Sequence, residues 1–94
     1  MATLSVPTAA AAQGSDSLQA AYFRGALADQ RILIAAHVTR QNRKLQSMAA
    51  TGTSALAITR LRRQVRENEA EIRDLDRMIE AIDRRFSRSW ISQS

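Results

Sequence analysis

Cysteine is missing from the 94 residues, and there is one proline, three glycines and a single histidine. Without cysteine there is no disulfide framework and no thiolate metal site. One histidine cannot build a His-based zinc or iron centre within one chain. Aromatic residues amount to 4%, too few for the stacking platforms that grip single strands or unpaired RNA bases. No apolar run approaches the ~20 residues of a membrane span; the longest, Ile32 to Ala36, stops at His37. The first residues lack a basic segment, and their apolar stretch is broken by Thr3, Ser5, Pro7 and Thr8, so they do not read as a secretory signal. The expected compartment is the cytoplasm, with leaderless export as the alternative.

What is present is 45% hydrophobic residues, ordinary for one small folded domain. The net charge is +5, and Lys44 is the one lysine among fourteen basic residues. Arginine together with abundant alanine suggests a GC-rich coding sequence of bacterial type. Residues 1–14, rich in Ala, Thr and Ser and free of charge, read as a disordered tail. Ser15, Asp16 and Ser17 are each good N-caps, so a first helix is expected over about 17–48. Its apolar stripe is Phe23, Leu27, Ile34, Val38, Leu45 and Met48. A turn is expected over 49–54, with Gly52 as a left-handed cap and Thr53 or Ser54 as the next N-cap.

The second helix, about 55–90, has the cleanest pattern. Ile58, Leu61, Val65, Asn68, Ile72, Leu75, Ile79, Ile82 and Phe86 alternate steps of three and four, an unbroken heptad register with one polar member. The fold class is therefore all-α: a long antiparallel two-helix hairpin, coiled-coil-like, over 15–91. Paired residue numbers are expected to sum to about 102. That sets Leu27 against Leu75, Phe23 against Ile79 and Ile34 against Asn68, and brings Arg24 and Arg31 near Asp76 and Glu71. Asn68 is either a buried register device or an edge residue that meets water. If it is buried among apolar neighbours, Asn68→Leu raises stability.

A hairpin buries one stripe per helix. Tyr22, Ala26, Ile32, Leu33 and Ala36 lie off the stripe of the first helix, which makes that segment apolar almost all round. A helix apolar on all sides is buried on all sides. The chain is thus expected to self-associate through these residues into a helical-bundle dimer or higher oligomer, and Ala21 and Gly25 would permit close approach.

Charge is segregated. Residues 30–66 hold Arg31, Arg40, Arg43, Lys44, Arg60, Arg62, Arg63 and Arg66 and no acid, whereas 67–83 are mainly acidic. The hairpin turn should gather Arg40, Arg43, Lys44, Arg60, Arg62, Arg63 and Arg66 into a basic end. Such an end suits nucleic-acid phosphate without base readout, or an acidic protein surface, including 67–83 of another copy, or solvent alone. No catalytic constellation, cofactor loop or metal-ligand spacing is evident, and His37 has no acid or nucleophile beside it. The expected function is non-enzymatic: a small coiled-coil adaptor or structural subunit that assembles with itself. The alternatives are a sequence-independent nucleic-acid binder, and a component or substrate of a specialised bacterial secretion system.

Overall fold

A computed structural model describes residues 9–92, and consists of two helices: α1, Ala9–Thr51, and α2, Ala55–Ser92. They pack side by side as an antiparallel hairpin. At ~1.5 Å per residue, α2 is about 57 Å long. No helix among the described residues is long and apolar enough to cross a membrane.

The connection is as tight as the sequence permits. Gly52 is left-handed at φ 72°, a conformation with little cost only for a residue lacking Cβ. Thr53 N–H then donates to the Met48 carbonyl at 3.1 Å, the six-to-one bond of a Schellman cap. Ser54 is the N-cap of α2, its carbonyl accepting from Ile58 N–H at 3.1 Å. The helix does not stop at Met48 as expected. Ala49 and Ala50 are strong helix formers, so α1 continues through Thr51, whose hydroxyl donates to the Ser47 carbonyl at 3.0 Å.

The other end also differs from expectation. α1 is already helical at Ala9, ahead of the Ser15–Ser17 caps. The run Ala9 to Ala12 has the highest helix propensity of any residue type and carries the helix past them. Residues 1–8 of the expected tail lie outside the described residues. Ser17 is not a cap but the most buried of the described residues, 1% exposed. Its carbonyl accepts the Trp90 indole N–H at 3.0 Å, and Trp90 in turn stacks on Phe86 with ring centroids 6.2 Å apart.

All nine heptad positions of α2 are buried or half-buried, which confirms the seam read from their spacing. Among the described residues the fully buried apolar ones are Leu27, Val65 and Leu75. α1 meets this seam in a different register from the one expected. Ser17 pairs with Trp90, Arg24 with Asp83 and Arg31 with Asp76, so paired numbers sum to 107, and Gln41 pairs with Asn68 at 109. The reason is the turn: its centre lies at Thr53–Ser54, not at Thr51. The shift removes Arg24 from Asp76 and Arg31 from Glu71. It also places Phe23 off the seam, 54% exposed, while Arg24 and Leu27 flank α2 in its stead.

Three of these pairs recur every seven residues on both helices. Arg24 donates through Nε and Nη2 to both oxygens of Asp83, at 2.5 and 3.0 Å. Arg31 makes the same two-pronged contact with Asp76, its Nη2 bond 3.2 Å long. Such forks tolerate little sliding, so they fix the register as well as adding attraction. Hydrogen bonding from the two arginines holds the Asp76 and Asp83 carboxyls below the usual range, against the opposing effect of desolvation.

Candidate functional site

Two surfaces remain once the hairpin is closed. The first is the side of α1 that faces away from α2. Because the seam uses Ala20, Arg24, Leu27, Arg31, Ile34, Val38 and Gln41, the large apolar residues on the opposite side of α1 are turned outward. Leu18 is 67% exposed, Tyr22 84%, Ile32 64% and Leu33 70%. Ala26 and Ala36 are exposed beside them, so the five residues expected off the seam all lie on the surface of the hairpin. Leu18, which is not among the five expected residues, belongs with them.

Within this face lies a shallow depression of about 300 Å³ lined by Ala21, Tyr22, Gly25, Ala26 and Asp29. Its floor exists because Gly25 has no side chain and its neighbours are alanines. A Cβ built on Gly25 would meet nothing within 4 Å. The hairpin itself therefore does not require glycine there, although glycine within an exposed helix costs ~1 kcal/mol relative to alanine.

The second surface is the turn end. Arg40, Arg43, Lys44, Arg60, Arg62, Arg63 and Arg66 are all exposed, and none forms a salt bridge among the described residues. The structure brings together only some of them. Two adjoining depressions, of about 220 and 240 Å³, run along the groove between the helices and share Lys44, Leu61 and Gln64. Arg40 and His37 line the first and Arg60 the second, and no acid lines either. Arg43, Arg62, Arg63 and Arg66 lie outside this groove. Helical spacing explains the division: Arg60 and Gln64, four apart, share one flank of α2, whereas Arg62 and Arg66, also four apart, share another.

Asn68 sits between the two surfaces, half-buried, and its Nδ2 donates to Gln41 Oε1 at 3.0 Å. Gln41 is only 6% exposed. The polar member of the heptad is thus met by a buried polar partner rather than by Ile34. No cluster of three or more metal-ligating side chains occurs among the described residues. Comparison of the chain with protein-family models, curated proteins and solved structures finds no match, so the two surfaces are interpreted from their own chemistry.

Proposed function

We propose that this chain is a non-enzymatic assembly module, a helical hairpin that associates with a second copy through the outer face of α1 and acts as an adaptor or structural subunit. The observation that carries this reading is the exposure of Leu18, Tyr22, Ile32 and Leu33 on one side of α1. These four residues leave on the order of 600 Å² open, close to the ~800 Å² per partner of a stable interface before Ala26 and Ala36 are added. A fully buried apolar set of Leu27, Val65 and Leu75 is small for a chain of this length, and a second helix layer would enlarge it. A second copy is the occupant that this face itself supplies.

Sedimentation of the full chain tests the proposal. The wild type is expected to be at least dimeric at tens of micromolar. Ile32→Glu with Leu33→Glu is expected to yield monomers, because charge on that face must be desolvated on association. A monomeric wild type refutes it.

A second reading rests on the turn end. Three cations, Arg40, Lys44 and Arg60, line an acid-free groove and form no salt bridge among the described residues. Such a groove suits the phosphates of a nucleic acid, bound without sequence preference, or an acidic protein surface.

A further inference from the structure

The outer face of α1 has an internal symmetry that the hairpin does not use. Leu18, Tyr22, Gly25, Ala26, Asp29 and Leu33 follow one another at steps of four, three, one, three and four. Read from either end, the order is leucine, a side chain with a polar tip, a small residue, a small residue, a polar tip, leucine. An antiparallel copy of α1 with paired numbers summing to 51 would therefore meet like with complementary. Leu18 would lie against Leu33 of the partner subunit, Gly25 against the partner's Ala26, and Tyr22 against the partner's Asp29. A two-fold axis then repeats every contact in reverse, as an isologous dimer requires.

We infer that the chain forms an antiparallel two-fold dimer whose α1 helices cross at Gly25–Ala26, with the Tyr22 hydroxyl donating to the partner's Asp29 carboxylate. This rests on the self-association proposed above and specifies its geometry. Three independent observations meet at the crossing point. Gly25 and its small neighbours Ala21 and Ala26 form the depression there, and the hairpin has open space where a Gly25 side chain would stand. Tyr22, 84% exposed, is the most exposed of the large apolar residues, and a ring of that size gains most from being covered. Asp29 is an exposed acid in the lining of that depression with no salt bridge among the described residues. A lone carboxylate in an apolar interface is costly unless it accepts hydrogen bonds, and a tyrosine hydroxyl is the donor that the opposed register supplies. A parallel arrangement supplies none, because it sets Asp29 against Asp29.

The arrangement also fixes what lies outside the interface. Residues beyond about 42 meet no described residue of the opposed α1, which begins at Ala9. An antiparallel crossing at Gly25–Ala26 therefore sets the two basic turn ends at opposite ends of the dimer.

The absence of native cysteine makes a direct test clean. Leu18→Cys and Leu33→Cys are made singly in the full chain, at exposed positions where the fold is checked by circular dichroism. Disulfide-bonded dimer is expected when the two variants are mixed and mildly oxidised, and not from either variant alone, because the bond forms only between Cα atoms within ~7 Å. Ala26→Cys, beside the two-fold axis, is expected to cross-link to itself. Tyr22→Phe keeps the ring and removes the donor from both symmetric contacts, and is expected to weaken the dimer about a hundredfold. Cross-linking of Leu18→Cys to itself, with dimeric sedimentation retained, overturns the antiparallel register but leaves self-association standing. An unchanged dimer in Tyr22→Phe overturns the Tyr22–Asp29 contact. Monomeric wild type overturns both the register and the reading beneath it.

Discussion

Replacing Asn68 by leucine is the substitution on which the sequence and the three-dimensional arrangement give opposite signs. An asparagine among heptad apolars is normally a cost, and its removal should stabilise the seam. Here Asn68 Nδ2 is the donor to Gln41 Oε1 at 3.0 Å, and Gln41 is 6% exposed. Asn68→Leu leaves that amide oxygen buried without its partner, at a cost of ~1–3 kcal/mol. The new side chain recovers about 1 kcal/mol, half of what full burial of a leucine provides, because position 68 is half-buried. The single variant should therefore lose ~1 kcal/mol, or about 4–8 °C in Tm for a domain of this size. Gln41→Leu combined with Asn68→Leu removes both amides and gains apolar burial on both helices, and should be at least as stable as the wild type. The cycle of two singles and the double should thus give a coupling of ~1–3 kcal/mol. Thermal melts followed by circular dichroism measure it, all at one protein concentration because association would shift Tm. A single Asn68→Leu variant that melts above the wild type, with no coupling in the cycle, refutes the reasoning.

Leu75→Ala should cost ~2–4 kcal/mol, since Leu75 is only 4% exposed, and Ile72→Ala, at a half-buried seam position, should cost less in the same melts. Asp76 and Asp83 have lowered pKa values in the folded hairpin, so their contribution is complete above the unfolded aspartate value of ~3.9 and is lost as pH falls through the folded values below it. The wild type should melt above the Asp76→Asn, Asp83→Asn double variant at neutral pH, and the gap should close on acidification below about pH 4. If the turn-end groove holds nucleic-acid phosphates, changing Arg40, Lys44 and Arg60 to Gln should reduce the slope of log affinity against log salt by about 3 while dimer sedimentation is unchanged. Fluorescence anisotropy with a mixed-sequence duplex reads that slope, and negligible affinity of the wild type at low salt would refute nucleic-acid binding.

Helix α2 was legible in the sequence because one physical requirement wrote it: a single apolar stripe, with every outward position free to be charged. Spacing alone assigned all nine seam residues from Ile58 to Phe86. The turn was legible for a similar reason, since a left-handed position selects Gly52. The register of α1 was not. Its seam is made partly of alanine, arginine and glutamine, residues that a search for apolar periodicity passes over, so Phe23 was taken where Arg24 stands. What aligns the helices is Arg24–Asp83, Arg31–Asp76 and Gln41–Asn68, and these partners are 59, 45 and 27 residues apart in the chain. The outward set Tyr22, Ala26, Ile32, Leu33 and Ala36 was legible as surplus, because one seam cannot absorb residues from all sides of a helix. The division of the seven basic residues between a groove and the outer flanks depends on rotation about each helix axis, which net charge along the sequence does not encode.

The seven-residue ladder implies an order of closure. Gln41–Asn68 joins residues 27 apart, while Arg31–Asp76, Arg24–Asp83 and Ser17–Trp90 join residues 45, 59 and 73 apart. Closing the longest of these first would cost about 0.9 kcal/mol more loop entropy than closing the shortest. Zipping outward from Gly52 avoids that cost, because each formed rung leaves only about seven to ten residues per helix to be brought in for the next. The same gradient governs opening in the folded state: the end held by Ser17 and Trp90 frays first, and the end at Gly52 last. Amide hydrogen exchange should accordingly slow from Ser17 towards Met48 along α1. A second copy seated on Leu18 to Leu33 covers the half of α1 nearest the fraying end, so it would act there as a clamp, and protection at those amides should rise with protein concentration while that near Met48 stays the same.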